Sequence, residues 1–144
     1  MKFLRSLTGG LIGSLVLTML HQALKNNYTD APRMDLLGEE AVEKGFNTLG
    51  IEHPDEDQVH NLALAGDIVF NALFFSLAAT TISSCSKGTL LGIAAGVGGL
   101  YLPEKLGLNP EHSNRTPQTK VLTVGLYALA GYVAGKTIDR MRGN

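Results

Sequence analysis

Between Asp67 and Lys87 the chain carries no formal charge, and the apolar run that encloses this interval, Leu62 to Ser86, reads LALAGDIVFNALFFSLAATTISSCS. At ~1.5 Å per helical residue, roughly 18 apolar residues are enough to cross a hydrocarbon core of about 30 Å, and buried helices of water-soluble proteins seldom need so many. The run is therefore expected to be a membrane span, and every other segment has to be arranged around it.

Three further stretches have the same character. Ser6 to Leu24 runs 19 residues without a formal charge behind Lys2 and Arg5. It is longer than a signal-peptide core, and the LHQALKNN that follows offers no small-x-small cleavage site, so it reads as a retained first span over about 6–24. Gly88 to Leu102 is shorter, and its length alone would allow a re-entrant segment. Its glycines Gly88, Gly92 and Gly96 recur every fourth residue, a groove in which a neighbouring helix can lie close, and the expectation is a thin span over 88–103 that ends at Pro103. The last span, about 117–138, opens with Thr116 as a cap before Pro117 and carries a further pair, Gly131 and Gly135. The first span has such a pair in Gly9 and Gly13. Ala78 falls where the second span should face lipid.

The hydrophilic connection from Lys25 to Asn61 holds nine of the thirteen acidic residues. Within it, Met34, Leu37, Ala41, Val42, Phe46 and Leu49 recur at helical spacing opposite Asp35, Glu39, Glu40, Glu43 and Lys44, which predicts an amphipathic helix over 34–49 closed by Gly50. Helices that bind anionic lipid are usually basic on the polar face. This acidic one is expected to lie over its own bundle or on an uncharged interface. The acids Asp55, Glu56 and Asp57 after Pro54 suit the first turn of the next helix, where free N–H groups favour negative charge, and they lack the glycine turn and spacing of a calcium loop.

A net charge of −1 provides no basic surface for phosphates, so nucleic acid is not an expected partner. The single cysteine, Cys85, rules out an internal disulfide and a cysteine-based metal cluster within one chain. No nucleophile elbow, phosphate loop or zinc helix motif occurs, and an enzyme is not expected. Lys2, Arg5, Lys87, Lys136, Arg140 and Arg142 crowd the termini and the 86–88 turn, while the same number of basic residues is spread over the longer opposite loops. That density predicts both termini in the cytoplasm.

Three short segments carry a likeness. Asp30-Ala31-Pro32-Arg33-Met34-Asp35-Leu36-Leu37-Gly38 follows the first span, Leu102-Pro103 closes the glycine-rich third, and Asn114-Arg115-Thr116-Pro117-Gln118-Thr119 leads into the fourth. In this pattern the chain resembles uncharacterised four-span bacterial inner-membrane proteins. The resemblance implies a topology and a bacterial inner-membrane location, and it carries no catalytic residue across.

Chemistry can be sought at two places. Asp67 sits inside the second span with His60 seven residues before it and Asn71 four after it, all on one helical face, and an intramembrane carboxylate is expensive enough to be a functional candidate. Its bland alternative is hydration near the interface, or hydrogen bonding to the polar stripe Ser14, Thr18, His21 and Lys25 of the first span. His21 and His60 fall at similar depth and would be the ligands of a haem or, with Asp57, of a divalent metal, although interfacial histidines are more often plain polar anchors.

The expectation is one all-α membrane domain, 1–144, a four-helix bundle with an additional external amphipathic helix. As a function, a small accessory or scaffold subunit of a membrane complex or homo-oligomer suits the glycine surfaces and the poverty of reactive groups. A small transporter or channel using Asp67, and a haem or metal carrier through His21 and His60, are the alternatives. The bilayer and other membrane subunits, or further copies of the chain, are the expected partners.

Overall fold

The computed structural model of the chain describes residues 2–52, 54–79 and 83–143. Among them there is no strand. The helices are α1 (Lys2–Asn27), α2 (Met34–Leu49), α3 (Glu56–Ser76), α4 (Ser84–Lys105), α5 (Glu111–Asn114) and α6 (Pro117–Arg142). Three of the described helices, α1, α3 and α6, are long and apolar enough to cross a membrane. The 22-residue α4 is long enough too, but its glycines and Lys87 dilute its hydropathy.

Local signals explain most boundaries. Asp55 caps α3 by accepting the N–H of Gln58 at 2.8 Å. Thr116 caps α6 by accepting that of Thr119 at 3.1 Å, with Pro117 in the first turn, where a missing N–H costs nothing. Gly50 closes α2 at φ 65°, and the N–H of Ile51 returns to the carbonyl of Phe46.

The expected second span, 62–86, is corrected. Its helix begins at Glu56, in the acidic turn expected to open it, but stops at Ser76, ten residues short of Ser86, where Leu77, Ala78 and Ala79 turn back on the carbonyls of Phe74, Phe75 and Ser76. Ser83 then caps α4, accepting the N–H of Ser86 at 3.3 Å, so 84–86 belong to the next helix. Hydropathy runs on through this interval, but serine hydroxyls satisfy free helical N–H groups and start a new helix. Residues 80–82 of the expected span lie outside the described residues. Ala78, expected to face lipid, is fully buried in this turn.

The third segment is also longer than 88–103, and Pro103 lies inside its last turn instead of ending it. A proline within a helix leaves the carbonyl four residues earlier without its donor. Here that carbonyl, Gly99 O, accepts the Ser113 hydroxyl at 2.5 Å, and Leu100 O accepts the Asn114 amide at 2.9 Å. The short α5 thus supplies what Pro103 removes.

The long helices pack as an open row in the order α3, α1, α6, α4. Although α3 and α4 are neighbours in the chain, they barely touch. Of the expected four-helix bundle, the structure has the four long helices packed side by side, in a row that stays open between α3 and α4. The physical reason is where the small residues sit. On α6, Gly131 and Gly135 meet the backbone of Gly88 and Ser84, while Ala130 and Ala134 on the adjoining face meet Gly13. On α1, Gly9 and Gly13 turn toward α6, whereas Gly10 abuts the Ala72 carbonyl and Ser14 donates to Ile68 O at 2.8 Å, both on α3. The two inner helices each have two close-contact faces.

The interior is correspondingly small and the exterior large. Ala130, Ala134, Ser14, Ser84 and Thr123 are wholly buried, and of the large apolar side chains only Leu17 and Phe75 are equally so among the described residues. Phe70, Val69, Leu90, Leu73 and Met19 are more than half exposed. A chain folding in water buries the large apolar side chains first, whereas helices associating in lipid gain nothing by it and pack through small residues.

Candidate functional site

At the end of the row reached by the C-terminus of α1 and the N-terminus of α3, α2 lies across the helices and packs on α3 through Gly38 against Ala63. Its attachments are polar. Asp35 accepts Nε and Nη2 of Arg33 at 2.9 and 2.8 Å and Nζ of Lys25 at 3.1 Å. Glu39 Oε1 lies 2.6 Å from Nδ1 of His60, and Glu40 accepts the backbone N–H of Asn109. Partial burial pushes the Asp35 carboxyl up, but the hydrogen bonds and charges of Arg33 and Lys25 more than reverse this and hold it well below the usual carboxylate range. Asp35 in turn raises the guanidinium of Arg33.

The segments around residues 30–38, 102–103 and 114–119 meet at this same end. The Thr119 hydroxyl donates to Asp30 O at 2.9 Å, Arg115 donates to Thr29 O, the Arg33 N–H donates to His112 O at 2.7 Å, and Asn114 reaches back to α4 just before Leu102-Pro103. Their short polar patterns serve at least to join the loops to one another.

Beneath α2 lies a cavity of about 40 Å³ between α1, α2 and α3. Thr18, His21 and Lys25 reach it from α1, Asp35 from α2, and His60 and Asp67 from α3. The polar stripe of α1 and the carboxylate of α3 are thus brought to one place. Asn71 stands beside it, donating to Asp67 Oδ1 at 2.8 Å, and Tyr127 of α6 approaches Asn71 and packs edge-on against the His21 ring at 6.0 Å. Two atoms here stand out: Nε2 of His21 and Oγ1 of Thr18 are buried with no hydrogen-bond partner among the described residues. Buried polar atoms are almost always paired, so an orphaned pair one helical turn apart beside a polar cavity needs an explanation.

His21 and His60 do share this cavity, yet its volume is far too small for a haem, and Nδ1 of His60 is held by Glu39. Asp57 lies in the exposed first turn of α3, away from the cavity lining. No group of three His, Cys, Asp or Glu side chains among the described residues is placed to hold a metal ion.

Sequence reasoning missed three participants. Asp35 and Glu39 look like ordinary charges on the polar face of α2, and Tyr127 like an interfacial aromatic. It also missed Asp139 at the far end, which accepts the N–H groups of Ser84 and Cys85 at 3.1 and 2.9 Å and so ties α6 to the start of α4. The partners of Glu39 and Asp139 are separated from them by tens of residues, and the Lys25 partner of Asp35 belongs to another helix, so no local pattern marks such pairs. No family model, curated protein or solved structure matches this chain.

Proposed function

We propose that the chain is a small non-enzymatic protein of a bacterial inner membrane, with four spans and both termini in the cytoplasm, acting as an accessory or scaffold subunit of a larger complex or a homo-oligomer. The observation that carries this reading is the open row. Its outer helices, α3 and α4, scarcely meet, so each keeps a flank that its own chain leaves uncovered. Many large apolar side chains stand exposed along the long helices, and the small residues inside are consumed by packing. The crowding of basic residues at one end supports the orientation, and the likeness to four-span inner-membrane proteins supports the location.

Cross-linking in native membranes tests it. The expected outcome is a discrete species larger than the 15.3 kDa monomer that survives extraction in mild detergent. A chain that stays monomeric in both the membrane and a nanodisc overturns the reading.

A second reading, a small transporter or channel using Asp67, is favoured by the cavity under α2. In proteoliposomes it requires a flux that Asp67→Asn abolishes.

A further inference from the structure

We propose that the cavity between α1, α2 and α3 is a proton-binding site, in which Asp67 is the acid and His21 exchanges the proton with it through one intervening water. Asp67 has no ion-pair partner among the described residues: Lys25, the cation that lines the same cavity, is engaged by Asp35, and so is Arg33. Among the described residues its one hydrogen-bond partner is the neutral amide of Asn71, on one of its two oxygens. An uncompensated carboxylate within a membrane span is costly, and the cheapest relief is to carry a proton.

The orphaned atoms complete the arrangement. A volume of about 40 Å³ accommodates roughly three or four waters at ~10–15 Å³ each, and a water held there needs two to four polar partners. His21 Nε2, Thr18 Oγ1 and the free oxygen of Asp67 are such a set, and placing the water satisfies both orphans at once.

The exchange balances without any other reactant. The O–H bond of the Asp67 carboxyl breaks as its proton passes to the water, and the water gives one of its own protons to Nε2 of His21. A carboxylate and an imidazolium result, with no change in net charge, and the reverse steps restore the neutral pair.

The groups around Asp67 favour a proton over a metal cation. From α1 it is faced by His21 and Lys25, from α2 by Asp35 with Arg33 and Glu39 behind, from α6 by Tyr127, and on its own helix by His60. Lys25, a cation, lines the same cavity, and with both oxygens of Asp35 taken by Arg33 and Lys25, the side chains of Thr18, Gln22 and Asp67 offer fewer oxygens than the six to eight that calcium takes.

The inference deepens the reading of Asp67 above and rests on it for the site, but it is read at equilibrium. Proton binding without flux keeps this site and removes only the transporter.

Wild-type protein in lipid nanodiscs, labelled with carbonyl-¹³C aspartate and ¹⁵N histidine, tests it by magnetic resonance. One aspartate carboxyl should keep the shift of a neutral acid at neutral pH and vanish in Asp67→Asn. It should titrate over the same interval as one histidine ring, and His21→Gln should remove that shared step. Sodium chloride added at constant pH should leave both signals in place. An Asp67 signal already ionised at neutral pH in the wild type overturns the proposal without need of any variant. So does an Asp67 titration indifferent to His21→Gln, or displacement of its proton by sodium.

Discussion

A single methyl group decides several contacts in this protein. A Cβ built on Gly92 would strike the backbone carbonyl of Tyr127, and one on Gly88 or Gly135 would strike backbone atoms of the facing helix in the same way. Backbone cannot rotate aside as a side chain can, so the helices must separate. Gly92→Ala is therefore expected to lower stability by ~1–3 kcal/mol, the usual cost of overpacking. Gly66 has nothing within 4 Å of such a methyl, and Gly66→Ala should be neutral or stabilise by up to about 1 kcal/mol through helix propensity. Thermal unfolding of the two variants in one detergent checks the contrast. Equal midpoints would mean that the α4–α6 seam is looser than drawn. The spacing of Gly88, Gly92 and Gly96 shows in the sequence because small residues one turn apart must line one face. Gly10 does not show, since its role depends on α3 lying across the second face of α1.

The elements differ in how their ends are decided. Caps built by near neighbours, such as Asp55, Thr116 and Gly50, can be read from a few consecutive residues. The end of α3 at Ser76 inside an unbroken apolar run cannot be read from hydropathy, and neither can a helix that continues past Pro103 because Ser113 serves the freed carbonyl. The attachment of α2 is likewise tertiary, and it depends on pH through Asp35. Its carboxyl is held low in the folded protein by Arg33 and Lys25, while in the unfolded chain it titrates near the ordinary value of about 3.9. Above that value both states are ionised and the contribution to stability is complete. As pH falls below about 4 the unfolded state takes up the proton first, and the contribution is lost toward the lower folded value. Asp35→Asn should therefore be less stable than wild type at neutral pH and should lose less on acidification. Melting curves of both proteins across the acid range show this as converging midpoints, and parallel curves would contradict it.

For the whole molecule the ends of the row carry different charges. Lys2, Arg5, Lys87, Lys136, Arg140 and Arg142 belong to the end where Asp139 joins α6 to α4, and α2 and α5 occupy the other. With Cys85 replaced by serine, Glu43→Cys should react with a membrane-impermeant maleimide in intact spheroplasts. Arg140→Cys should react only after permeabilisation. Both positions are exposed, so accessibility within the protein does not confuse the result, and the opposite pattern would invert the topology.

Helical class, the positions of the apolar segments and the polar stripe on α1 follow from the order of residues alone, because charge spacing and helical period are local properties. The stripe of Ser14, Thr18, His21 and Lys25 and the face of His60, Asp67 and Asn71 were legible as two separate patterns. Only the packing decided that they meet, since Gly10 and Ser14 dock α1 on α3 while Asp35 draws α2 across their shared end. The order of the row was likewise undetermined by sequence: glycine pairs on three helices permit several pairings, and the choice depends on which small faces fit together at backbone distance. Asp67 itself is visible as a charge in an apolar run. That it lies at a cavity with no ion-pair partner among the described residues is a property of its neighbours in space, because Lys25, which lines the same cavity, is already engaged by Asp35.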